Sequence, residues 1–328
     1  MTHDDGAAAA AAGREPVLLL KSIQGNAIRT LFEVLKEIVH DVSLRVDASG
    51  VKLLTLDGAR CALVYMRLRA DAFEEFRCEG SFTLGVNMAS MFKLVKTSGS
   101  HDTITLYMES ATANELGIKI QNAEKNSVTN FKLKLLDVDD EIIQLPDVEF
   151  DSVITMPSAF FQRLCRDMLN ISDTMIIRSS GNQLVLGCNG DFARQETVIG
   201  EADAGMAIAA KSEKTIEGRF SLKYLSLFCK ASNLSNTIEL FLKESYPLIL
   251  KYNVASLGEL RFCVAPGAAR LPGGVGAGGP AAASAGAGLP RRVRRRGGGG
   301  GGGGGGGSVV VHLGRDAEAQ LAQGRDVV

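Results

Sequence analysis

Four histidines (His3, His40, His101 and His312) and six cysteines (Cys61, Cys78, Cys165, Cys188, Cys229 and Cys263) are the side chains that titrate nearest neutrality. No two cysteines form a C-x-x-C pair, so the spacings of zinc fingers and thioredoxin-like redox sites are absent. There is no H-E-x-x-H, no G-x-S-x-G, no P-loop and no dinucleotide-binding glycine fingerprint. The densest acidic stretch, Asp137, Asp139, Asp140 and Glu141, invites a metal-site reading, but Ile142, Ile143 and Leu145 follow it and Pro146 stops it. That order suits an extended strap lying on a surface, with apolar residues docked and carboxylates in water. Asp57 and Asp71 stand beside turns, where aspartate serves backbone conformation. Nothing assembles a nucleophile, a base and an oxyanion hole, and no cofactor is implied. The pattern argues against an enzyme.

Positive charge is the better lead. Arg29 and Lys36 are seven residues apart, Lys93 and Lys96 three, Arg163 and Arg166 three, and Lys223 and Lys230 seven. At 3.6 residues per turn each pair shares one helix face. Surface helices carry Lys and Arg for solubility as well, so one such pair would mean little. Four of them recur in equivalent places, in a chain of net charge −1 whose last sixty-odd residues hold eight arginines against three acids. The body is therefore acidic overall, and the basic faces stand out from it. Long, non-aromatic cations suit phosphate contact without base reading.

The elements that carry these pairs repeat. Residues 26–38 put Ile28, Leu31, Phe32, Leu35 and Ile38 at helical spacing, and 87–97 turn Met88, Met91, Leu94 and Val95 inward. Short strand-like runs separated by turn residues surround both helices. After the strap, Pro157 suits a helix's first turn, and Phe161, Leu164, Cys165 and Met168 fall on the positions of Ile28, Leu31, Phe32 and Leu35. Residues 220–232 overlay 86–98 in the same way. This is an internal duplication. Each copy reads as an α+β domain of antiparallel sheet on a helix pair, with open strand edges that are either blunted or paired with another subunit. The expected divisions are an N-terminal extension (1–16), a first domain (17–134), a connector (135–149), a second domain (150–266) and a Gly/Ala/Arg-rich tail (267–328).

Scattered cysteines read as reduced, buried thiols. No apolar run is long enough to span a bilayer, and the alanine run at 7–12 follows Asp4 and Asp5 without a basic leader, unlike a secretory signal. The Asn170 and Asn233 sequons then read as chance matches. The tail cannot build a core. Its RRVRRR cluster (291–296) reads as a nuclear-import or nucleic-acid patch, against the alternative of a dispensable extension.

Residues 50–73, GVKLLTLDGARCALVYMRLRADAF, and 77–95, RCEGSFTLGVNMASMFKLV, resemble the most characteristic segments of the eukaryotic sliding clamp, the proliferating cell nuclear antigen family. The resemblance extends from about residue 17 to Pro266 and includes LDVDDEIIQLP and the closing VAP. It implies two similar DNA-clamp domains per chain and a homotrimeric ring around double-stranded DNA. The implied function is a non-catalytic processivity factor for replicative DNA polymerase and a docking platform for replication and repair proteins, opened by a clamp loader. A nuclear protein without membrane contact is implied. By position, Arg29, Lys36, Arg77, Lys93, Lys96, Arg163, Arg166, Lys223 and Lys230 would face DNA. Leu56, Arg60, Cys61, Ile143, Leu145, Pro146, Pro247, Ala265 and Pro266 would form the pocket for partner peptides. Gly80 stands where the family has a basic residue, Arg60 and Cys61 where it often has His and Val, and the 179–182 loop lacks the lysine that many relatives modify. A subunit of a checkpoint-type clamp with non-identical partners is the alternative.

Overall fold

A computed structural model describes residues 15–138, 143, 148–200, 205–211 and 214–267. The expected N-terminal extension and Gly/Arg tail fall almost wholly outside these residues, as do Leu145 and Pro146. The first half runs β1 (Leu18–Ser22), α1 (Gly25–Ile38), β2 (Asp41–Asp47), β3 (Gly50–Leu56), β4 (Ala62–Arg69), β5 (Glu75–Cys78), β6 (Phe82–Asn87), α2 (Met88–Val95), β7 (Thr103–Met108), β8 (Glu115–Asn122) and β9 (Ser127–Lys134). The second runs β10 (Ser152–Pro157), α3 (Ser158–Leu169), β11 (Thr174–Ser180), β12 (Gln183–Asn189), β13 (Arg194–Gly200), β14 (Ala207–Ala210), β15 (Ile216–Ser221), α4 (Leu222–Phe228), β16 (Thr237–Leu242), β17 (Leu248–Val254) and β18 (Gly258–Val264). Nine strands and two helices recur in the same order, as the duplication requires.

The helices form where the apolar stripe dictates. Ile28, Leu31, Phe32, Leu35 and Ile38 are all buried on α1, and Phe161, Leu164, Cys165 and Met168 on α3. Each such large side chain contributes about 1.5–3 kcal/mol by leaving water. Asn87 starts α2 by accepting the Ser90 N–H on its side chain at 2.8 Å, the usual N-cap arrangement. Two helices are shorter than their sequence patterns. α2 ends at Val95, and α4 ends at Phe228 and tightens into a 3-10 turn over Cys229–Asn233, a common way for a last turn to close. Lys230 therefore sits on that turn.

Each half contributes one five-strand order, β5-β1-β7-β8-β9 or β14-β10-β16-β17-β18, and one four-strand order, β4-β3-β2-β6 or β13-β12-β11-β15. β18 then pairs antiparallel with β4, Gly258 opposite Leu68 through Val264 opposite Ala62, which fuses two of the four orders into one nine-stranded sheet. The fusion needs Gly258, because a Cβ there would sit 1.9 Å from the Arg67 carbonyl oxygen. The four helices adjoin: α1 packs on α2, α3 on α4, and α1 also meets α4 and the following 3-10 turn.

Of the strap, residues 135–138 and Ile143 are described. The Leu136 N–H donates to the Gly85 carbonyl at 2.8 Å, Asp137 is exposed and Ile143 is buried. Its acids Asp139, Asp140 and Glu141 lie outside the described residues. Strands β5, β13, β14 and β15 are not among the strand-like runs of the sequence. The side chains of β13 alternate between exposed and half-buried, so no apolar face marks it as a strand.

Candidate nucleic-acid and peptide interfaces

Eight of the nine candidate phosphate-binding cations lie on the helix layer or at its ends. Arg29 and Lys36 are on α1, Lys93 on α2 with Lys96 just past it, Arg163 and Arg166 on α3, Lys223 on α4 and Lys230 on the 3-10 turn. Lys93, Lys96, Arg163, Arg166, Lys223 and Lys230 are exposed, and Arg29 and Lys36 half-buried. The Lys36 ammonium lies 5.0 Å from the centre of the Phe92 ring on α2, and the Arg163 guanidinium 5.3 Å from that of Phe160, distances at which the ring face attracts a cation. Arg29 donates to Asn26 Oδ1 at 2.6 Å, which holds its head close to the helix surface.

Arg77 is placed differently. It lies on β5, the edge strand beyond β1, and pairs with Glu15 and with Glu79, the latter at 2.5 Å. Both carboxylates raise the guanidinium's already high pKa. It is not on the helix layer.

The layer also holds carboxylates that helical spacing did not single out. Glu37 contacts Lys36 and, at 2.8 Å, Lys230 of the other half. These two lysines hold the Glu37 carboxyl at about 2, well below the ordinary 4.5. Asp173 lies 3.3 Å from Lys223. Among the described residues Lys93, Lys96 and Arg166 make no ion pair.

The candidate peptide pocket is assembled by strand register. Leu248 opposes Val264, Val264 opposes Ala62, and Leu63 opposes Leu56. Pro247 precedes the first of these residues, Ala265 and Pro266 follow the second, and Arg60 and Cys61 precede the third, so all share one end of the sheet with Leu56. Pro247 is buried, Leu56, Cys61 and Ala265 are half-buried, and Arg60 and Pro266 are exposed. Leu145 and Pro146, assigned to the same pocket, lie outside the described residues.

Asp57 shapes the turn that presents Arg60 and Cys61. Its Oδ1 accepts the Cys61 and Ala62 N–H groups at 2.8 and 2.7 Å, and its Oδ2 accepts the Tyr224 hydroxyl at 2.8 Å. Arg60 adopts the left-handed φ of 56°, a conformation costly for a non-glycine residue. Burial first, and then the Asp57 carboxylate, push the Tyr224 hydroxyl's pKa far up. Asp57 beside a turn and Tyr224 inside a helical run are ordinary locally, and no local pattern joins two residues so far apart in the chain.

Two family models cover the described fold: the proliferating cell nuclear antigen N-terminal domain matches residues 17–142 and the C-terminal domain residues 144–267. A protein of Paramecium bursaria Chlorella virus 1, "Probable DNA polymerase sliding clamp 1", is 45% identical over 251 residues, which is 75% of this chain and 95% of the viral protein. Both halves of the duplicated fold are thus matched in order, and the chain belongs to the proliferating cell nuclear antigen family of sliding clamps.

Proposed function

We propose that the chain closes with two further copies of itself into a head-to-tail ring that encloses duplex DNA, serving as a processivity factor for DNA polymerase with no catalysis of its own. One observation carries the ring. Within the chain β18 pairs with β4. Their counterparts in the repeat, β9 and β13, each end a sheet and have no partner on the outer side among the described residues. Joining β9 of one copy to β13 of the next reproduces the internal seam and satisfies both open edges. Transposing the internal register by the strand pairings of the two repeats sets Val128 opposite Val198. These are two of the few large apolar residues left exposed, at 52% and 58%. A head-to-tail contact of this kind makes a ring when the rotation closes.

The basic helix layer would then line the hole. Enclosure retains the duplex, so each phosphate contact can stay weak and exchange as the ring moves. The pocket at the end of β17, β18 and β4, bordered by the connector, takes the apolar anchors of a peptide from the polymerase, a clamp loader or a repair protein, with extended backbone beside the 264–266 segment. The Arg-rich 291–296 cluster supports action in the nucleus.

Native mass of the purified full chain tests the ring: a three-chain assembly is expected, and a monomer that assembles only with non-identical relatives would favour a checkpoint-type clamp. For the DNA face, changing Lys93, Lys96, Arg166 and Lys230 together to Ala should reduce polymerase stimulation on a primed circle while the trimer survives. Unchanged stimulation would remove that face from the mechanism.

A further inference from the structure

The carboxylates on the helix layer are in an unexpected place for a surface that meets a polyanion. Glu37 sits in the last turn of α1 with its two oxygens divided between Lys36 of its own half and Lys230 of the other, 193 residues away. Asp173 stands against Lys223 in the second half. Three cations assigned to phosphate contact therefore already hold a carboxylate, an anion of similar donor preference.

We propose that Glu37, with Asp173 as its counterpart on Lys223, is a built-in stand-in for phosphate that holds Lys36 and Lys230 between DNA contacts and weakens the clamp's grip. This rests on the reading that the helix layer faces DNA. Ion pairs open to solvent contribute little, so a lysine passes between carboxylate and phosphate at little cost in either direction. While the contacts hold, Lys36 and Lys230 with Glu37 present one net positive charge in place of two, and Lys223 with Asp173 presents none, so fewer condensed counterions leave the DNA. The carboxylate thus trades affinity for mobility, which a topologically retained ring can accept.

The alternative is that Glu37 is only a strut between α1 and the 3-10 turn. Glu37→Gln keeps the shape and one of the two acceptor oxygens and removes the charge, and Asp173→Asn does the same at a pair confined to one half. Binding of the full chain to a fluorescent duplex, measured against salt concentration, separates the two. Each variant should bind more tightly at low salt, and the log–log salt slope should steepen by about 0.9 for each phosphate gained. One-dimensional diffusion on stretched DNA should slow. Unchanged affinity, slope and diffusion in both variants, with Lys36→Ala and Lys230→Ala still weakening binding, would overturn the stand-in and leave the strut. If those lysine variants also bind as the parent does, the DNA-facing reading itself fails.

Discussion

The Tyr224 hydroxyl and the Asp57 carboxylate, 167 residues apart, meet at 2.8 Å in a buried contact between the two halves of the chain. Asp57 uses its other oxygen for the Cys61 and Ala62 N–H groups, so helix α4 of the second half positions a turn of the first. Tyr224→Phe leaves Asp57 Oδ2 without that buried donor, a loss of about 1–3 kcal/mol. Denaturant unfolding should show that loss, and a partner peptide should bind more weakly through the loosened Arg60–Cys61 turn. Peptide affinity equal to the parent's would detach the tyrosine from the pocket.

The same tyrosine gives a pH prediction. Its folded pKa lies above the ordinary 10.0, so the folded state keeps the proton where the unfolded chain loses it. The associated stability is complete below pH 10 and falls as pH rises beyond it. Tyr224→Phe should show a shallower loss of stability above pH 10, read from melting temperature against pH.

Glu37 behaves in the opposite sense. Its carboxyl is lowered to about 2, so the tie from α1 to Lys230 is intact above pH 4.5 and is lost as pH falls from there toward 2. Carbon-13 titration of the Glu37 side chain should place its midpoint well below those of exposed glutamates, and Lys230→Ala should raise it. A midpoint near 4.5 in the parent would mean the pair is not held in solution.

At the open edges, Val128→Asp or Val198→Asp puts charge where the ring reading has apolar side chains facing each other. Both residues are exposed in the single chain, so intrinsic stability should change by only about 0.5 kcal/mol. Native mass should fall to that of one chain. A trimer that survives both substitutions would place the subunit contact elsewhere.

For the pocket, Ile143→Ala combined with Leu145→Ala should weaken a partner peptide several-fold with assembly intact. Ile143 is buried at 8% exposure. Equal peptide binding by the double variant would remove the connector from the site.

Sequence alone determined what depends on short-range periodicity. The stripe through Ile28, Leu31, Phe32, Leu35 and Ile38, and its echo through Phe161, Leu164, Cys165 and Met168, specified two of the helices and the duplication, because burial on a helix repeats every three to four residues. The basic pairs on α1 and α3 were legible for the same reason, whereas Lys96 and Lys230 lie past the ends of α2 and α4. Tertiary structure alone decided the rest. The seam of β18 on β4 depends on backbone approach at Gly258. β13 carries no apolar alternation to announce it. The partners of Lys230 and Tyr224 lie 193 and 167 residues away, and contacts at such separations are set by how whole elements pack, which no local window of sequence encodes.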